Sequence, residues 1–383
     1  MPFYHRLGEI PHKRHTQFKK PDGTLYREEL KGSLGFSGIA SLLYHHHMPT
    51  ASQSISAEKV APLEAWDEPV RHHHLDTNNM QPGGTVISGR VPILFNSDII
   101  ISLCCPADSM EYFYRNGEHD EMIFVHHGTG VLHSVYGKLP FHEGDYIIIP
   151  RGTVYQMELT GERQRFFLAE SSWPLRTPKR YRNEFGQLLE HSPFCERDIR
   201  CPEELHAIDE SGEFPVRVKA RGMVTTFVLD HHPFDVVGWD GYLYPWIFNI
   251  DDFEPITGRI HQPPPVHQTF ETEQFVVCSF VPRLFDYHPL SIPAPYYHHN
   301  VDSDEIIYYT RGEFMSRKGI HENSVTYHPG NAPHGPQPGK VEESIGAEKT
   351  DEVAVMIDTF KPLKLTLQAR DMDDLSYAYS WVE

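Results

Sequence analysis

Tyr114–Gly128 reads YRNGEHDEMIFVHHG, and His298–Gly312 reads HHNVDSDEIIYYTRG. Aligned on Glu121 and Glu305, the two stretches share a skeleton. Seven residues before each glutamate stands Tyr114 or His298, immediately before it Asp120 or Asp304, and seven residues after it Gly128 or Gly312. Further on comes a proline, Pro150 or Pro329, with Tyr155 or His334 five residues beyond. From the glutamate to that last position is 34 residues in the first copy and 29 in the second, a difference one loop absorbs. Repetition of this kind marks a chain that builds one unit twice.

The surroundings of both copies read as strands. Residues 86–169 and 242–360 alternate apolar and polar positions at period two between turn signals, as in DYIIIPRGTVYQMEL and EIIYYTRGEFM. With 31 prolines and 27 glycines in 383 residues, short strands and turns are favoured over long helices. The expected organisation is an N-terminal arm and first barrel over 1–175, a connecting segment over 176–250, and a second barrel over 251–383. The end, LKLTLQARDMDDLSYAYSWVE, reads as a short helix or tail.

The two copies differ where chemistry is concerned. Two imidazoles and a carboxylate on neighbouring strands, aimed into a barrel, form a facial triad that leaves coordination positions open, the pattern of non-haem Fe(II) oxygenases. The second copy has that set in His298, Glu305 and His334; the first has Tyr114, Glu121 and Tyr155. A lone glutamate does not hold iron, so one metal is expected, in the second barrel alone. The alignment pairs Tyr114 with His298 and Arg115 with His299, and strand alternation turns His299 to the opposite face. The HHH runs at 45–47 and 72–74 lack a carboxylate partner at strand spacing and read as loop or surface histidines.

The repeated skeleton resembles the cupin fold, which implies an all-β bicupin: two antiparallel jelly-roll barrels with few short helices. MPFYHRLGEIPHKRHTQF, GFSGIASLLYHHHMPT, FVPRLFDYHPLSIPAPYYHHNVDSDE and YHPGNAPHGPQPG resemble the homogentisate 1,2-dioxygenase family in its shorter bacterial form. That resemblance covers most of the chain. It implies one Fe(II) held by His298, Glu305 and His334, and ring cleavage of homogentisate by O₂ to maleylacetoacetate in tyrosine and phenylalanine catabolism. It further implies that His328 lies beside the metal and orients what is bound there, and that His261 hydrogen-bonds or deprotonates the bound phenol. Longer members have one residue fewer between the first histidine and the glutamate, and carry a substrate-contacting tyrosine where this chain has Phe314.

The other functions weighed are a cupin dioxygenase for gentisate or a related dihydroxybenzoate, a non-catalytic bicupin binding protein, and a zinc-dependent sugar-phosphate isomerase. A binding protein predicts two degenerate barrels, and an isomerase needs a basic phosphate pocket. An electron-rich hydroquinone supplies its own electrons, so no flavin, nicotinamide or 2-oxoacid is required. No GxGxxG or P-loop is present. A net charge of −19 argues against nucleic-acid binding. The absence of a long apolar run and five scattered cysteines predict a cytoplasmic protein with free thiols and no membrane partner. A homo-oligomer is expected, the N-terminal arm embracing a neighbour.

Overall fold

The computed structural model describes residues 3–382. Strands dominate, and among the described residues the α-helices are two short ones, Lys340–Ser344 and Leu367–Arg370. None of these is long and apolar enough to cross a membrane. All five cysteines are free.

Two large sheets, of seven and eight strands, enclose the first barrel, and a six-stranded sheet forms most of the second. A four-stranded sheet of His5–Gly8, Arg27–Gly32, Ala40–His45 and Val236–Gly241 covers the outside of the first. All ladders are antiparallel except Phe113–Asn116 against Ser211–Ala220. The all-β bicupin-like fold expected from the repeat is the fold observed.

Burial follows strand alternation on two sides. In Asp120–His127, Met122 and Phe124 join the core shared between the barrels, whereas Ile123 and Val125 fill the first barrel. In Asp304–Arg311, Ile306 and Tyr308 face the shared core, and Ile307 and Tyr309 the second barrel's interior. These strands are therefore buried on both faces and read as nearly continuous apolar runs. The same alternation sends Glu121 and Glu305 inward. Between the barrels Tyr308 stacks on Phe167 with centroids 4.9 Å apart, and its hydroxyl accepts from Arg165 Nε at 2.9 Å.

Each copy repeats one fastening. Asp120 accepts from Arg151 N at 3.0 Å and Leu175 N at 3.2 Å; Asp304 accepts from Gly330 N at 2.7 Å and Leu363 N at 2.7 Å. The aspartate before each glutamate thus holds the proline turn that leads to Tyr155 or His334.

The halves are more interleaved than a linear reading suggests. His73–Asp76, ahead of the first barrel, pairs with Ser324–His328 of the second, and Lys364–Leu365, near the end, pairs with Arg90–Phe95 of the first. The segment 176–250, expected to connect, supplies Ser211–Ala220 and Met223–His231 to the seven-stranded sheet and Trp246–Asn249 to the eight-stranded one. Its charged residues before Ser211 lie mostly in turns and irregular structure. The HHH runs are also corrected. His45, His73 and His74 are buried on strands, and carboxylate partners come from distant sequence: Asp235 for His45 at 2.7 Å and Asp373 for His73 at 3.2 Å.

Candidate metal centre

His298 and His334 form an isolated antiparallel bridge, each backbone N–H donating to the other's carbonyl at 2.8 and 2.9 Å. In the first barrel Tyr114 and Tyr155 are bridged in the same way. The repeat alignment therefore holds at the level of strand register. Gly335 permits the approach: a Cβ there would lie 2.8 Å from the Tyr297 ring and 2.9 Å from its Cα.

Both bridged histidines are oriented by one local device. Nδ1 of His298 donates to the carbonyl of Tyr296 at 2.9 Å, and Nδ1 of His334 to that of Ala332 at 3.0 Å. With the proton fixed on Nδ1, each Nε2 presents a lone pair. These atoms lie 3.8 and 3.4 Å from the Glu305 carboxylate. One donor atom from each of His298, Glu305 and His334 falls within 4.8 Å of the others. His334 Nε2 is buried without a hydrogen-bond partner. An orphaned lone pair beside a buried carboxylate is what a cation would satisfy, so the donor set fits a divalent transition metal. His299 is exposed.

His328 sits behind this set. It is fully buried, donates from Nδ1 to Glu305 Oε1 at 2.8 Å, and stacks on His334 with centroids 4.3 Å apart. Its Nε2 accepts from the Tyr377 hydroxyl at 3.1 Å. Burial pushes its pKa down to about 3, which keeps the ring neutral and its two nitrogens in these opposite roles. Burial raises the Glu305 carboxyl, but the imidazoles of His298, His328 and His334 ranged around it outweigh that and hold the group well below the usual range. Directly across the ladder from Glu305 stands Asp358. Burial and the Glu305 charge push its carboxyl up to about 8, and its Oδ1 has no partner.

The cavity in front of this set has a volume of about 170 Å³. Ile307, Phe314 and Met356 supply apolar walls, and His261, Arg317 and Glu305 polar ones. His261 is half exposed, with Nδ1 3.5 Å from Asp286 and its ring 4.9 Å from Tyr296. Arg317 is buried; it donates to the Gly335 carbonyl and leaves Nε without a partner.

Four contributors were not identified from sequence. Tyr377 and Trp381 come from the tail, and Trp381 Nε1 donates to Gly335 O at 3.1 Å. His72 packs edge-on against His328 and His334. For Asp358 a signal existed: its register partner Glu305 matches Glu121, whose own partner is Glu170.

The first barrel answers the same problem differently. Arg90 NH1 lies 2.6 Å from Glu121 and 3.0 Å from Glu170, and the Tyr155 hydroxyl donates to Glu121 at 2.9 Å. A guanidinium thus occupies the space between the carboxylates. Among the described residues one other histidine–carboxylate cluster exists, His126, His127 and Glu322. There both His126 nitrogens are taken, by the Tyr308 hydroxyl at 2.7 Å and the Thr310 carbonyl at 3.0 Å.

The profile of the family described as "Homogentisate 1,2-dioxygenase N-terminal" matches residues 42–250. A protein of Saccharolobus solfataricus, provisionally named a dioxygenase, is 45% identical over 385 residues, 100% of this chain and 99% of that protein. The homogentisate 1,2-dioxygenase of Legionella pneumophila subsp. pneumophila is 27% identical over 297 residues, 71% of this chain and 68% of its own. Among solved structures, a cupin 2 conserved barrel domain protein from Leptotrichia buccalis aligns over 82% of this chain and 92% of its own, at 10% identity and a TM-score of 0.31, too low to weigh.

Proposed function

The chain belongs to the homogentisate 1,2-dioxygenase family, and on that premise we propose that it is an iron(II)-dependent ring-cleaving dioxygenase acting on homogentisate. The observation that carries this reading is the bridged pair His298 and His334, with both Nε2 lone pairs turned toward Glu305 and one of them buried without a partner. These three residues would hold the metal. Bound there, iron(II) lets the electron-rich ring and O₂ exchange electrons.

The remaining work falls to the chain's own residues. A cavity of roughly 150 Å³ holds a benzene ring, so about 170 Å³ suits a single-ring substrate. Ile307, Phe314 and Met356 pack the ring and exclude water, while the Arg317 guanidinium in the cavity wall attracts an anionic substituent. His261 turns Nδ1 toward Asp286, which leaves Nε2 to take the phenolic proton, a task suited to an imidazole near neutral pH. His328 is a positioning residue: wedged between Tyr377 and Glu305, it fixes the carboxylate's orientation.

Phe314 cannot offer the hydroxyl of the tyrosine expected there, which favours one alternative: gentisate or another dihydroxybenzoate. Protein purified without oxygen, assayed for metal and for oxygen uptake with homogentisate and gentisate, tests both. One iron per chain with uptake on homogentisate alone supports the proposal; uptake on gentisate alone replaces the substrate, and no uptake on either overturns the reading.

A further inference from the structure

Between the N-terminal four-stranded sheet and the outer face of the first barrel lies a second cavity, of about 320 Å³. It shares no lining residue with the cavity at His298 and Glu305. Val154, Val216, Phe227 and Leu229 give it apolar walls, and one end is charged.

At that end the basic groups outnumber their partners. The Arg115 side chain makes no hydrogen bond or close ion pair with any described residue, and Glu29 attracts it only from a distance. Lys31 is mostly buried, and its nearest acid, Glu29, is 3.8 Å away, beyond hydrogen-bonding distance. Glu29 is instead engaged by His45 at 3.1 Å, and His45 is held on its other side by Asp235 at 2.7 Å. With His45 protonated between those two carboxylates, Lys31, Arg115, His45, Glu29 and Asp235 together carry one net positive charge. Beside them the buried Tyr136 hydroxyl is also unpartnered, its ring 5.7 Å from Lys31 Nζ. A half-buried guanidinium without an acceptor and an ammonium that shares its one distant acid are costly, and in a chain of net charge −19 such an excess of positive charge is not a surface average. The missing partner is an anion.

We infer that this cavity is a binding site for a small organic monocarboxylate with an aromatic or branched apolar body, its carboxylate received by Arg115 and Lys31. One net positive charge matches one carboxylate. The apolar walls distinguish such an acid from a bare inorganic anion, and the volume admits a ring with a short acidic arm. The inference does not depend on the proposed reaction.

Phenylacetate titrated into the metal-loaded protein by calorimetry tests it, with benzyl alcohol and inorganic phosphate as comparisons. A charge-assisted pair lost from a cavity of this kind costs roughly 10–100-fold in affinity. Phenylacetate binding should therefore weaken by about that factor in Arg115→Met and Lys31→Met, persist in His298→Ala, and recover in part in Arg115→Lys. Benzyl alcohol should bind at least ~10-fold more weakly, and phosphate should not compete. Crystals soaked with 4-bromophenylacetate should show the bromine among Val216, Phe227 and Leu229. Unchanged affinity in both methionine variants, loss of binding in His298→Ala alone, equal competition by phosphate, or bromine only at the metal-side cavity would each overturn the proposal.

Discussion

Arg90→Met removes the cation that the first barrel places between Glu121 and Glu170. The pair is buried, with side-chain exposures of 7% for Arg90 and 2–3% for the two acids, so solvent screening does little to soften the loss. Burial alone would raise the Glu170 carboxyl; the charges of Arg90 and Lys219 outweigh it and hold it at about 2 against an ordinary 4.5. That difference corresponds to ~3 kcal/mol of stability. Lys219 at 2.5 Å and Asn116 at 2.9 Å would still hold the other Glu170 oxygen, whereas Glu121 would keep only the Tyr155 hydroxyl. Breaking a buried pair by removing one partner costs roughly 3–5 kcal/mol, and the retained contacts place this case at the lower end. At roughly 2–4 °C per kcal/mol for a unit of this size, the thermal transition should fall by about 6–12 °C at pH 7. The sign of the pH dependence follows from the depressed carboxyl. Its contribution is fully present above about 4.5 and fades as pH falls toward about 2, so the gap between wild type and variant should narrow below pH 4.5. Differential scanning calorimetry at pH 7 and pH 4 reads both effects. An equal loss at both pH values would show that Arg90 matters for its packing rather than its charge, and no loss at all would refute the account of the first barrel.

His298→Ala should lose iron and activity together, while His299→Ala should retain iron; metal analysis of both purified variants decides, and the opposite pattern moves the ligand register by one residue. His261→Ala should keep its iron and lose about 10²-fold in kcat, and wild-type turnover would reduce His261 to a residue of the cavity wall. Tyr377→Phe removes the hydroxyl that donates to His328 Nε2. It should weaken iron retention by roughly 10-fold, the lower end for the loss of a group that orients a ligand; chelator competition measures this, and unchanged release would show that Glu305 needs no such support.

The parts legible in the sequence were those repeated within it. Tyr114, Glu121 and Tyr155 against His298, Glu305 and His334 fixed a register that the bridges in both barrels reproduce. The same alignment sets His298 opposite Tyr114 and His299 opposite Arg115, and His298 is the one whose Nε2 lies 3.8 Å from Glu305. What escaped the reading lay in pairings between distant segments. His73 and His74 look like loop histidines until Ser324–His328 pairs with them. The 176–250 segment looks like a linker because Ser211–Ala220 is exposed over much of its length and Met223–His231 is mostly only partly buried, so neither shows a clear apolar period of two. Tyr377 and Trp381 reach the centre through a turn after the last helix, where no periodicity points.

Both barrels oppose two carboxylates on neighbouring strands inside an otherwise apolar core, Glu121 with Glu170 and Glu305 with Asp358. Like charges so placed are untenable without a cation or a proton between them. The first barrel meets the requirement from within the chain: Arg90 reaches both acids, and tyrosines stand at the bridged positions, where Tyr155 donates to Glu121 and neither ring offers an imidazole lone pair. The second barrel pairs no arginine among the described residues with Glu305 or Asp358; the close partners of Glu305 are histidines. It has imidazoles at the bridged positions, each turned by a backbone carbonyl so that its lone pair looks inward, and without metal its second acid holds a proton up to about pH 8. Exchanging an internal guanidinium for two imidazoles thus changes one scaffold from a self-neutralised core to an open cation site. The carboxylate pair, shared by both, is what makes each solution necessary. On this view a metal in the first barrel requires the loss of Arg90 as well as histidines at 114 and 155. A triple variant Tyr114→His, Tyr155→His, Arg90→Ala should bind a second divalent ion, whereas the double histidine variant that keeps Arg90 should not. A second ion in the double variant would show that the guanidinium is not what excludes it.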